Sequence, residues 1–150
     1  MNEPGLTLAL GGGAAKGLAH IGVLKGVEED GIEVTAIAGS SMGSIIGALA
    51  AQGLSAREME ALVVSIDWVR LGRIMVTSVS GRAFQDMLRE TFGGGLIEEL
   101  PTRFAAVCCD LDTGEMVVLD SADLADPVCA STAIPGMLPS MRIGDRRRVD

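Results

Sequence analysis

Val34-Thr35-Ala36-Ile37-Ala38-Gly39-Ser40-Ser41-Met42-Gly43 is the stretch on which the reading of this chain turns. Its first five residues are β-branched or small and apolar, the pattern of a short buried strand. Glycines then stand two before and two after Ser41, and a helix of small residues runs from Ser44 to Gln52 until Gly53 stops it. Strand, tight turn and helix in that order give Gly-x-Ser-x-Gly its meaning. The turn is so sharp that only small residues fit at Gly39 and Gly43, and the serine hydroxyl is raised at the helix N-terminus. Unpaired backbone N–H groups and the positive end of the helix dipole favour developing negative charge there. Ser40 shares the turn without glycines at both distances, so Ser41 is the candidate nucleophile and Ser40 a packing or capping residue.

Upstream, Leu6-Thr7-Leu8-Ala9-Leu10 reads as another buried strand, running into Gly11-Gly12-Gly13-Ala14-Ala15-Lys16-Gly17. From Ala15 to about Asp30 apolar residues recur at helical spacing, and Gly31 ends the run. Residues without side chains let backbone N–H groups approach a bound carbonyl oxygen, so Gly11, Gly12, Gly13 and Ala14 are candidate oxyanion-hole positions beside the serine turn. Two nucleotide-binding rivals fail on particular residues. A dinucleotide fingerprint starting at Gly11 needs glycine where Lys16 stands, and a phosphate-cradling Walker loop needs Lys then Ser or Thr where Leu18-Ala19 follow Gly17.

Two strand-loop-helix units in succession imply parallel strands with right-handed crossovers, hence an α/β fold with a central, mainly parallel, doubly wound sheet between helical layers. Further along, Ser55-Ala56-Arg57-Glu58 has capping-box spacing and opens a helix to about Ile66. Another helix is expected from Ser80 to about Phe92, and a short one over Asp126 to Ala133. Arg103 to Asp110 and Glu115 to Leu119 flank Asp112-Thr113-Gly114 as a β-hairpin, and Met141-Arg142-Ile143 and Arg147-Arg148-Val149 flank Gly144-Asp145 as a second.

At 150 residues with 48% hydrophobic content the chain fits one domain, residues 1–150. A net charge of −8 argues against nucleic acid as a partner, and the single basic run, Arg146 to Arg148, reads as a solvated strand edge or as an anchor for anionic lipid headgroups. Cys108, Cys109 and Cys129 are an odd set without zinc spacing, so buried, reduced thiols in a cytoplasmic compartment are expected, with no metal and no cofactor. Met1-Asn2-Glu3-Pro4 has no positive lead of a secretory signal. Met42, Met75, Met137, Leu138 and Met141 are either core filler or the lining of an adaptable acyl groove. His20, the single histidine, lies upstream of Ser41 inside the first helix and reads as a packed or half-exposed helix residue. The base for Ser41 is then a carboxylate, a lysine or a group outside the chain.

Leu8-Ala9-Leu10-Gly11-Gly12-Gly13 through Lys16-Gly17-Leu18-Ala19-His20-Ile21-Gly22-Val23-Leu24, followed by Ala38-Gly39-Ser40-Ser41-Met42-Gly43, resembles the start of a bacterial patatin-like phospholipase. Asp110-Leu111-Asp112-Thr113-Gly114-Glu115 and Ala130-Ser131-Thr132-Ala133-Ile134-Pro135-Gly136 resemble later segments of that family, so the likeness spans most of the chain. It implies a three-layer patatin fold, a Ser-Asp dyad that works without histidine, and phospholipid, lysophospholipid or neutral-lipid acyl esters as substrate, met at a membrane surface. The family's catalytic aspartate opens an Asp-Gly-Gly or Asp-Gly-Ala motif after the strand that follows the Ile-Pro segment. Position for position this is Asp150. Family domains continue beyond that aspartate, so the chain reads as an incomplete hydrolase domain. Lys16 and Gly17 are implied as loop support, although the family usually carries Arg at Lys16, and Lys keeps the charge while losing the planar fork. The resemblance implies a cytoplasmic protein, peripheral at the inner membrane face, and a second reading keeps the fold without the chemistry, as a lipid-binding or regulatory module.

Overall fold

The computed structural model describes residues 5–67, 69 and 81–150. Its elements are β1 (Leu6–Leu10), a 3₁₀ turn (Ala14–Leu18), α1 (Ala19–Glu29), β2 (Val34–Ser40), α2 (Met42–Ala51) and α3 (Ala56–Ser65). They continue with α4 (Arg82–Phe92), a 3₁₀ turn (Ile97–Glu99), β3 (Arg103–Asp110), β4 (Met116–Leu119), α5 (Ala125–Ser131), β5 (Met141–Ile143) and β6 (Arg146–Val149). Ser80, expected to open the fourth helix, lies outside the described residues. The expected first helix divides: glycine-loop geometry extends through Ala14 at φ 47°, a 3₁₀ turn follows, and regular α-helix begins only at Ala19.

The strands form one sheet in the order β1-β2-β3-β6-β5, with β4 also on β3. β1, β2 and β3 run parallel because helices join them, whereas β3/β4, β3/β6 and β5/β6 are antiparallel. The turns of the two expected hairpins are too short for a parallel crossover. Among the described residues the sheet is therefore mixed, with its parallel half carrying the serine turn.

Steps from β1 to β2 to β3 go in one direction across the sheet, and right-handed crossovers taken in one direction fall on one face. The burial follows suit. Leu10, Ile37, Phe104 and Ala106 share a single apolar cluster with Ile21 and Leu24 of α1, Ile46 and Leu49 of α2, Met59 of α3, Leu88 of α4 and Val128 of α5. On the alternate positions, Ala36, Ala38, Ala105 and Val107 are half-buried and Ala9 is exposed. The expected α/β fold is thus present, and among the described residues the helices named above pack in one layer on the sheet. The capping box of α3 forms as expected: Ser55 N–H donates to Glu58 Oε2 at 2.8 Å and Glu58 N–H donates to Ser55 Oγ at 3.3 Å. Among the described residues no helix is long and apolar enough to cross a membrane.

Candidate active site

β2 ends at Ser40, α2 begins at Met42, and Ser41 between them takes φ 53°, ψ −126°. A non-glycine residue held in such a region stores about 1–3 kcal/mol that the surroundings must offset. They do so by close packing. A Cβ on Gly39 would lie 2.3 Å from Gly43 O, and one on Gly43 would lie 2.1 Å from Leu10 O, so both elbow glycines are required for space. Hydrogen bonds complete the hold. Ser41 N–H donates to Ser131 O at 3.1 Å and Ser131 Oγ at 3.0 Å, Ser131 Oγ–H donates to Val107 O at 2.6 Å, and Ser44 Oγ–H donates to Ser41 O at 2.7 Å. Ser41 is 8% exposed, and among the described residues its Oγ has no hydrogen-bond partner.

The glycine loop comes to this hydroxyl from the end of β1. A Cβ on Gly12 would stand 3.1 Å from Ser41 Cβ and 3.8 Å from Ser41 Oγ, which puts the loop and the elbow against each other. Gly13 at φ 150° and Ala14 at φ 47° bend the loop out of extended geometry. Among the described residues the N–H groups of Gly12, Gly13 and Ala14 have no hydrogen-bond partner, nor does that of Met42 at the start of α2. Gly11 belongs to the loop but not through crowding, since nothing lies within 4 Å of a Cβ there. Gly17 is buried against Met42, whose Cβ would be 2.6 Å from an added Cβ. Lys16 supports the loop through its main chain, donating N–H to Gly13 O at 3.0 Å. Its side chain is exposed and makes no hydrogen bond or ion pair among the described residues. His20, half-buried as expected, sits with Nε2 2.8 Å from Gly11 O.

Asp150 arrives from the other direction. Its N–H donates to Ala133 O at 3.1 Å, two residues beyond the Ser131 that holds Ser41, and β6 before it pairs with β3. The aspartate is half-buried and its carboxylate makes no hydrogen bond or ion pair among the described residues, including to Ser41. A second carboxylate nearby is fully engaged. Asp110, 4% exposed, accepts N–H bonds from Asp112 at 2.9 Å and Thr113 at 3.1 Å and pairs with Arg148, with Arg146 at 4.0 Å. Burial is the largest single influence and disfavours its charge, but the two amides and both guanidinium groups together hold its carboxyl below the ordinary value. Arg147 pairs with Asp112, so the basic run is tied to acids of the β3–β4 hairpin. Asp110 is therefore a fastening of the sheet, whereas the Asp150 carboxylate has no partner among the described residues.

An apolar cavity of about 250 Å³ opens beside Ser41. Its walls are Ile45, Ile46 and Leu49 of α2, Leu62 and Val63 of α3 with Ile66 after it, and Phe84, Met87, Leu88 and Thr91 of α4, with Met42, Thr132 and Ile134 near the serine. Of the four described residues weighed as an acyl groove, only Met42 lines it. Leu138 and Met141 line a separate pocket of about 40 Å³, Met137 is 52% exposed, and Met75 lies outside the described residues. The missed signal is periodic, because residues 84, 87, 88 and 91 are one stripe of α4. Cys108 and Cys129 are buried, and desolvation pushes the Cys129 thiol up to about 12, so it stays protonated at neutral pH.

Comparison with known proteins gives a consistent picture. The family model described as patatin-like phospholipase matches residues 8–150. An NTE family protein of Mycobacterium tuberculosis is 34% identical over 155 residues, covering 99% of this chain and 43% of that protein. Patatin-like phospholipase domain-containing protein 6 of mouse is 34% identical over 145 residues, covering 91% of this chain and 11% of that protein. The crystal structure of VipD from Legionella pneumophila superposes with a TM-score of 0.80 at 15% identity, covering 99% of this chain and 46% of that one, a likeness of fold. The chain spans less than half the length of each of these three.

Proposed function

Because the chain belongs to the patatin-like phospholipase family, we propose that it is a serine lipid acyl hydrolase domain in which Ser41 is the nucleophile and Asp150 its base. One observation carries this reading: on a strained elbow that lines an apolar cavity stands a hydroxyl which, like the N–H groups of Gly12, Gly13 and Ala14 in the loop against it, has no hydrogen-bond partner among the described residues. Asp150 takes the proton of Ser41 Oγ, directly or through water, as Oγ bonds to the ester carbonyl carbon. The N–H groups of Gly12, Gly13 and Ala14, with that of Met42, stabilise the oxyanion. Collapse of the intermediate breaks the ester C–O bond, the alcohol leaves with the proton, and the acyl chain stays on Ser41 in the cavity. Water, giving a proton to Asp150, then releases the fatty acid. Phospholipid, lysophospholipid or neutral-lipid acyl esters fit a hydrocarbon-lined cavity, and such substrates are met by peripheral contact with a membrane surface.

The lack of a Ser41–Asp150 hydrogen bond among the described residues favours a second reading, a lipid-binding or regulatory module without turnover. Catalytic hydrogen bonds often tighten only when substrate is bound, which supports the enzyme reading. Fatty-acid release from phospholipid and lysophospholipid in mixed micelles separates the two. The enzyme reading expects release that falls by about 10³-fold or more in both Ser41→Ala and Asp150→Asn. Saturable fatty-acid binding with no release above the Ser41→Ala level would make the chain a binder.

A further inference from the structure

We propose that His20 is a positioning residue for the oxyanion loop, fixing the Gly11–Gly12 peptide so that Gly12 N–H is presented to the reacting carbonyl. The inference rests on the acyl-hydrolase reading and adds to it a residue that takes no part in proton transfer. Gly11, Gly12 and Gly13 have no side chains with which to hold themselves, and open space lies where a Cβ on Gly11 would be. Something else must choose one loop conformation from the many that glycine allows. Two carbonyls of the loop are tied: Gly13 O accepts from Lys16 N–H at 3.0 Å, and Gly11 O lies 2.8 Å from His20 Nε2.

The second tie determines chemistry at both its ends. A carbonyl oxygen only accepts, so Nε2 must carry the hydrogen. Its lone pair is then unavailable, which removes His20 Nε2 as a base for Ser41. At the other end, C=O and the following N–H of a trans peptide point to opposite sides. Drawing Gly11 O toward α1 turns Gly12 N–H away from α1, and that N–H has no partner among the described residues although Gly12 itself packs on Ser41. Both the neutral Nε2–H tautomer and the imidazolium can donate, so the tie survives either protonation state of the ring.

Two measurements on the 150-residue chain test this. Nitrogen NMR of the ring should show neutral His20 protonated on Nε2 and bare on Nδ1; the opposite tautomer would overturn the proposal. The rate at which a fluorophosphonate phosphonylates Ser41 should fall about 10²-fold in His20→Ala, as for a displaced oxyanion donor. The probe's apparent affinity should change less than about threefold, since ground-state binding is not at issue. His20→Gln, whose amide N–H can reach the same carbonyl, should recover to within about fivefold of the parent and keep its pH profile. A folded His20→Gln as slow as His20→Ala, or a His20→Ala as fast as the parent, would contradict the role. If the parent is not labelled at all, the hydrolase reading fails, while the tautomer and the Gly12 amide resonance, expected to shift in His20→Ala and return in His20→Gln, still decide the tie.

Discussion

Ser131 shows how much of the site depends on a residue that attacks nothing. It is fully buried, accepts the Ser41 N–H on two oxygens and passes its own hydroxyl hydrogen to Val107 O, linking the elbow to the central strand. Ser131→Ala removes one acceptor of the Ser41 N–H and the hydroxyl donor to the Val107 carbonyl, a loss of about 1–3 kcal/mol. Denaturant unfolding should report that loss, together with slower phosphonylation of Ser41. The glycines offer a sharper contrast. Gly43→Ala forces a Cβ to 2.1 Å from Leu10 O and should destabilise by about 3 kcal/mol or more, whereas Gly11→Ala meets nothing and should stay within about 0.5 kcal/mol of the parent. At this scale Gly39, Ser41 and Gly43 were legible because their spacing is local. Ser131 was not, because its partner is 90 residues away and a serine in an Ala-Ser-Thr run carries no local mark of it.

Elements decide what the serine can reach. α2, α3 and α4 supply the cavity walls, and α4 does so through Phe84, Met87, Leu88 and Thr91 on one stripe. Met87→Trp narrows that space, so release from long-chain esters should fall more than release from short-chain ones. Each methylene turned out of the cavity forfeits about 0.8 kcal/mol, roughly fourfold in preference. A chain-length series that dropped uniformly would mean that the acyl chain lies elsewhere. Nearly every element was readable in the sequence, including the α3 capping box, because periodicity and cap chemistry are local properties. Two features were not. The split of the first helix follows from the conformation at Gly13 and Ala14, and the one-faced placement of the helices follows from strand order, which hydrophobic pattern alone does not reveal.

The molecule as a whole is fastened around Asp110, where the β3–β4 hairpin meets β6. A carboxyl whose pKa is lower folded than unfolded binds its proton less tightly in the native state. Its stabilisation is complete above the ordinary aspartate value of 3.8 and is lost as pH falls through that value toward the lowered one. Asp110→Asn should therefore melt below the parent by a constant gap from about pH 5 to pH 8, and the gap should narrow below about pH 4. A gap that widened in acid would reverse the assigned sign. The family resemblance singles out Asp150 by its place after the Ile-Pro segment and gives Asp110 no role. What the fold adds is that Asp110 is bound by two amides and arginine, while the Asp150 carboxylate has no partner among the described residues.

All of this converges on one hydroxyl, and peptide mapping after reaction with a fluorophosphonate tests it most directly. The account predicts a single phosphonyl adduct on the peptide holding Ser41, located on Ser41 and not on Ser40, and absent from Ser41→Ala. Adduct on Ser40, or equal labelling of folded Ser41→Ala, would contradict it.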